Sequence, residues 1–298
     1  MNTPGVTTPA SRTRLSGRDR VQLMLRRLNM PLTHALLIVL GFVWIYPFLW
    51  MVSASFKTTS EMFGGGLNLI PKQPVLENYA RAWKVANFRT YFFNTVIVTV
   101  SVVALVVTWS SMTGYAFGRY DFPGKRLFMG AIVATLFLPT GYTIIPVFDL
   151  MRMLGLLNTL WAVILGMAGG AHVLFILLFT GFFSSLPNDL EDAARIDGCG
   201  FVRTFWSVML PLAKPVIATA TIMRFMWAWN AFFLPLVFTL GKPELRTLGV
   251  GMFAFVAEYA TDWTGMAAAA TISLMPIIAV FLALQRYFVE GVAGAIKG

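Results

Sequence analysis

A chain of 298 residues, 57% hydrophobic and 12% charged, departs far from the roughly 45–50% and 25% of soluble domains. The balance excludes an ordinary water-soluble enzyme and points to an integral membrane protein with little room for a separate soluble domain. The formal charge of +10 does not indicate nucleic acid, because basic residues beside apolar spans set topology and contact anionic lipid.

The first 30 residues are polar and basic, with Arg12, Arg14, Arg18, Arg20, Arg26 and Arg27. Val21, Met24, Leu25 and Leu28 follow helical spacing among them, which predicts an amphipathic helix over 18–30 on the membrane surface. The apolar run after this tail is too long for a signal peptide and lacks a small-residue cleavage site, so the first helix is expected to stay in the mature chain. A bilayer core about 30 Å thick needs ~20 apolar residues per helix. Six runs meet that length, at 31–55, 91–116, 127–149, 158–184, 215–240 and 266–285. The expected fold is an all-α integral membrane protein: a tail (1–30), a six-helix transmembrane domain (31–285) with a helix-turn-helix loop at 185–214, and a second tail (286–298).

A basic N-terminus favours the cytoplasmic side. With six spans, the loops 117–126 and 185–214 and the C-terminus are then cytoplasmic as well. Fourteen of the 23 Lys and Arg fall inside on this assignment, eight outside, and Arg224 within a span. A single cysteine, Cys199, excludes an internal disulfide and leaves the compartment unread from redox chemistry.

In chain order, the loop "GRYDFPGKR" (118–126) is the nearest approach to a phosphate loop. It has one residue too many between its glycines, Arg126 where Ser or Thr should stand, and no preceding strand, so ATP is not bound by that route. His34 and His172 lie in expected spans without Cys, Asp or Glu at ligand spacing, and read as structural. Only Asp149 among the acids comes near a span, which disfavours a proton-coupled carrier. Gly166 and Gly170, at small-xxx-small spacing, predict close helix packing.

Segment 185–214 is too long and too charged for a mere connector, which usually needs ~2–8 residues. Ser185 and Pro187 predict a helix start, and Leu190, Ala193, Ala194 and Asp197 recur at helical spacing. Gly198 is a natural stop. A second short helix begins near Phe201, carries Phe205 and Val208 on one face, and ends at Leu210-Pro211. Ala193 and Ala194 would let another surface approach closely, while Glu191 and Asp192 supply charge for a partner.

"DAARIDGCGFVRTFWSVMLP" resembles the cytoplasmic coupling loop of ABC importer permeases: Glu-Ala-Ala, three residues, Gly, nine residues, Ile-x-Leu-Pro. Asp192, Ala193, Ala194, Gly198, Val208, Leu210 and Pro211 fill that pattern at every spacing, with Asp192 for Glu and Val208 for Ile. From about residue 31 onward the chain is similar to carbohydrate-type permeases of the maltose-permease MalG kind, in "ENYARAW" (77–83), "FFNTVIV" (92–98), "GYAFGRYDFPGKRLF" (114–128), "LPTGYTIIP" (138–146), "LGLLNT" (154–159), "WNAFFLPL" (229–236) and "QRYFVEGVAGAIKG" (285–298). The resemblance implies an importer in a bacterial or archaeal cytoplasmic membrane. Its parts would be this chain, a second homologous permease paired with it as a heterodimer, two ATPase subunits that hold ATP and Mg, and an extracytoplasmic solute-binding protein. This chain itself would carry no cofactor and catalyse nothing. The coupling loop would dock in a cleft on the ATPase, and the C-terminal tail, with Gly294 and Lys297, would reach between the ATPase subunits.

The solute path has two open readings. Arg224 stands about nine residues into its helix, ~14 Å deep at 1.5 Å per residue. A charge there must face a solute, a cavity, backbone carbonyls or a partner. Trp227, Trp229 and Asn230 suit a sugar's faces and hydroxyls, and equally suit helix packing. The segment "LRTLGVGMFAFVAEYATDW" (245–263) has only ~13 apolar residues in succession, too few to span; it resembles the loop that meets the binding protein, and an interfacial helix is the simpler account. Two functions remain: a permease subunit of an ATP-driven importer of a sugar or related solute, and a self-sufficient secondary carrier or channel, which would need intramembrane coupling residues absent here.

Overall fold

A computed structural model describes residues 17–85, 87–138, 141, 143–170, 172–256 and 261–297; side chains at 17–29, 85, 254 and 288–297 are not among those described. The described residues form helices and contain no strand beyond an isolated bridge between Val256 and Thr261. Three helices are long and apolar enough to cross a membrane unbroken. These spans are Met30–Ala54 within α1 (Gly17–Ala54), all of α4 (Phe88–Arg119), and Trp263–Tyr287 within α14 (Trp263–Lys297). Two further candidates are bent pairs: α7 (Leu160–Ala168) with α8 (Val173–Ser185) at 53°, and α10 (Phe201–Leu212) with α11 (Lys214–Trp229) at 79°.

Among the described residues three to five candidate spans can thus be counted by length and composition, where the sequence predicts six. The run 127–149 is interrupted: α5 (Lys125–Ala134) passes into a tight turn at Thr135–Phe137, and α6 (Ile144–Met153) starts afresh. Leu138 is extended (φ −82°, ψ 124°), the conformation that a following proline ring enforces, and Pro139 follows it. The run 215–240 breaks after Trp229 and resumes as α12 (Phe233–Phe238). At the N-terminal side α1 is continuous from Gly17 through the expected surface helix into the span, with Pro31 and Pro47 inside it. Arg12 and Arg14 lie outside the described residues.

Two short helices, α2 (Thr59–Gly64) and α3 (Glu77–Val85), connect α1 to α4. The central helix is α4, packed on α8, α11 and α7, while α14 joins α11 to α1. Its valines Val98, Val102 and Val106 repeat every four residues and are buried, with Phe179 and Phe183 of α8 and Met167 of α7 in the same core. Glycine makes the α4–α8 approach possible. A Cβ on Gly114 would lie 2.4 Å from Phe179 Cβ, and one on Gly118 2.9 Å from the Thr180 carbonyl oxygen. Gly166 fulfils the packing expectation, since a Cβ there would meet the Phe238 ring at 2.4 Å. Gly170 does not: it sits at φ +104° in the break between α7 and α8. Segment 245–263 folds into short pieces, a turn at Pro243–Leu245, α13 (Leu248–Gly251) and a turn at Met252–Phe255, and no interfacial helix forms among its described residues.

Candidate coupling site and solute path

Segment 185–214 holds two short helices on either side of a turn at Gly198. α9 (Asp189–Ile196) starts two residues after Pro187 and carries Asp189, Glu191 and Asp192 in its first turn, where negative charge favours the helix dipole. It ends as a glycine-capped helix: Gly198 takes φ +77°, its N–H donates to the Arg195 carbonyl at 3.0 Å, and the Cys199 N–H donates to the Ala194 carbonyl at 2.9 Å. The second helix, α10, runs one residue further than expected, through Pro211 to Leu212. Proline offers no N–H to the Ser207 carbonyl and crowds it. The preceding turn, Phe205–Met209, accordingly widens to π geometry, with the Leu210 N–H donating to the Phe205 carbonyl. Phe205 and Met209 are buried, Val208 and Leu210 pack against the same core, and Pro211 is exposed.

The outward face carries Asp192, Ala193, Ile196 and Gly198, all exposed. Ala194 is buried, so only Ala193 of the alanine pair can admit a neighbour. Asp192 pairs with Arg195 at 3.4 Å, both well solvated. Glu191 departs from the expectation that it offers charge to a partner. Its side chain is 8% exposed, Arg119 Nη2 lies 3.1 Å from Oε2, and the Tyr115 hydroxyl donates to Oε1 at 2.6 Å. An α-helix turns 100° per residue, so adjacent acids face different ways, and Glu191 is the one turned inward. Arg119 also donates to the Leu186 carbonyl at 2.8 Å, one of the orphan carbonyls beyond the end of α8. Sequence reasoning missed Tyr115 and Arg119. Their spacing of four places them on one face of α4, which was the available signal.

The four candidate path residues separate into two groups. Arg224 is buried and donates from Nη2 to the Met167 carbonyl, in the last turn of α7. There the helix dipole favours a cation, and the guanidinium carbon lies 4.1 Å above the Trp227 ring. This is the backbone-carbonyl reading of Arg224. Trp229 is buried, stacked on Phe225 at 5.3 Å, and its Nε1 donates to the Ser273 carbonyl at 3.0 Å. Asn230 is exposed just beyond α11. Trp229 and Asn230 together line a cavity of about 240 Å³ between α1, α11, α13 and α14, with Phe48, Met51, Gly249 and Ser273; Arg224 and Trp227 do not reach it. Helix α14 continues through Lys297, but the surroundings of Gly294 and Lys297 lie outside what is described.

At the opposite end of α4 a second polar cluster was also missed. Asn94 Nδ2 donates to the carbonyls of Glu244 and Arg246 at 2.8 and 3.1 Å, and Thr95 Oγ1 accepts from the Leu248 N–H at 2.8 Å. Nearby, Arg81 clamps Asp262 with two bonds, Nε to Oδ2 at 2.6 Å and Nη2 to Oδ1 at 3.0 Å, tying α3 to the start of α14. Burial pushes the Asp262 carboxyl up, but bonds from Arg81, the Gly265 N–H and Thr264 hold it below its ordinary range. The bond to Asp262 raises the Arg81 guanidinium in turn.

Residues 110–294 match the family described as binding-protein-dependent transport system inner membrane component. The chain belongs to this family. It is therefore a permease subunit of ABC importers, not itself catalytic, and ATP hydrolysis belongs to a partner ATPase. The permease is 38% identical over 261 residues to the diacetylchitobiose uptake system permease protein NgcG of Streptomyces coelicolor, covering 86% of this chain and 84% of that one. To the arabinooligosaccharides transport system permease protein AraQ of Halalkalibacterium halodurans it is 34% identical, over 87% and 93% of the two chains. Among solved structures it is similar to a chain of a bacterial ABC transporter involved in the import of the acidic polysaccharide alginate, with a TM-score of 0.75 and 27% identity over 94% of this permease and all of that chain.

Proposed function

We propose that this permease imports a sugar or oligosaccharide delivered by an extracytoplasmic binding protein. Its coupling element is segment 185–214, docked on a partner ATPase that holds ATP and Mg. The observation carrying the reading is the exposed face of α9. Asp192, Ala193 and Gly198 of the coupling pattern point away from their own chain, with small Ala193 between the charge and the glycine turn, as a docking surface requires. The substrate class rests on the relatives, whose names specify diacetylchitobiose and arabinooligosaccharides.

The cavity beside Trp229 and Asn230 supports a solute path bordered by this chain, and an Asn side chain at its rim offers the donor and acceptor that hydroxyls need. Apolar side chains of α1 from Leu32 to Leu49 are exposed, a face that lipid or another chain can cover; a second, different permease paired with this one belongs to the same reading. Both termini and segment 185–214 face the cytoplasm, consistent with the basic tail.

Purification from the native membrane in mild detergent, with mass spectrometry of what accompanies the chain, tests this. A second permease and an ATPase are expected. Recovery of this chain alone, active in liposomes without ATP, would replace the reading with a secondary carrier. Gly198→Asp, forced to φ +77°, is expected to abolish uptake while the protein stays in the membrane.

A further inference from the structure

The geometry points to Tyr115, Arg119 and Glu191 as positioning residues that lock α9 to α4, so that α4 carries motion of the coupling segment to the loop Glu244–Leu248 at its other end. The coupling part rests on the importer reading above; the lock itself does not.

Three observations carry it. Glu191 is the acid of α9 that is withdrawn from solvent, and both carboxylate oxygens are engaged by α4, Oε2 by Arg119 and Oε1 by Tyr115. Arg119 simultaneously holds the Leu186 carbonyl, so one side chain joins α4, the end of α8 and the start of α9. A buried ion pair is a weak stabiliser compared with apolar residues of equal volume, but it fixes register and punishes any displacement of one partner. At its far end α4 fastens Asn94 and Thr95 to the backbone of 244–248. Between the two ends it is a single uninterrupted helix of 32 residues, about 48 Å at 1.5 Å per residue. Gly114 and Gly118 seat it directly on α8. A tilt of α9 therefore cannot be absorbed locally without breaking the lock.

The test uses the full chain with its co-purified partners in proteoliposomes, comparing wild type with Glu191→Gln, which keeps shape and removes charge. Solute imported per ATP hydrolysed should fall about tenfold or more, the scale of ordinary coupling energies, while ATPase recovery and ATP hydrolysis persist. Uptake and hydrolysis falling together, in proportion to protein recovered, would overturn the proposal by making Glu191 merely structural. Tyr115→Phe, which keeps the ion pair, guards against misfolding and should give a smaller fall in the same ratio. A spin label on Cys199, the chain's single cysteine, reads the lock independently of transport. It should become more mobile in Glu191→Gln, and unchanged mobility would overturn the lock. Wild type lacking ATP-driven uptake while the label still responds would instead overturn the importer reading and leave the lock standing.

Discussion

Glu191 and Asp192 are adjacent acids with opposite environments, and the difference sets what each substitution should do. Asp192 is solvated and paired to solvated Arg195, so Asp192→Ala should change thermal stability in detergent by under ~1 kcal/mol while lowering uptake through loss of the outward face. Glu191→Ala strands Arg119, whose side chain is 4% exposed, and should cost about 3–5 kcal/mol. Equal melting temperatures for the two variants would show that the burial is not felt. The helix around Asp192 and Ala193 and its stop at Gly198 were legible because all are local to one helix and its cap. The inward turn of Glu191 was not legible: its partners stand more than 70 residues earlier, and no local periodicity links them. Arg224 was half legible, since depth alone required a partner but could not say that the end of α7 supplies it.

At the scale of elements, two contacts make separate demands. The α4–α8 interface depends on a missing side chain, and Gly114→Val places a branched Cβ against Phe179. Overpacking of this kind costs typically ~1–3 kcal/mol, so a lower melting temperature and reduced yield are expected, and a Gly114→Val protein as stable as wild type would mean that the two helices can part. The clamp between α3 and α14 responds to pH instead. Because the folded Asp262 carboxyl is held below its ordinary range, its contribution is complete above that range and is lost as pH falls through the depressed value. Titrating from neutrality to roughly pH 3 should therefore loosen wild type more than Asp262→Asn, read by protease access to the 243–262 region. Long apolar runs predicted α1, α4 and α14 well, because length and hydropathy suffice for an unbroken span. They could not show where the chain bends: the Leu138-Pro139 step and the Gly169–Gly170 step sit inside runs whose composition alone reads as continuous.

For the whole molecule the decisive property is sidedness. The count of basic residues favours a cytoplasmic segment 185–214, a preference rather than a contact, whereas the proposed coupling role demands it absolutely. Cys199 makes the demand measurable without engineering. It is free, partly exposed, and sits immediately after the glycine turn of segment 185–214. A membrane-impermeant thiol reagent should label it in inside-out vesicles and not in right-side-out vesicles, and rebinding of the ATPase should slow the labelling, since Gly198 next to it belongs to the proposed docking face. Labelling from the outside only would invert every span and put the coupling segment where no ATPase exists. Labelling from the inside that the ATPase leaves unchanged would keep the topology but move the docking face away from the α9–α10 turn, toward exposed Val202 and Trp206 of α10.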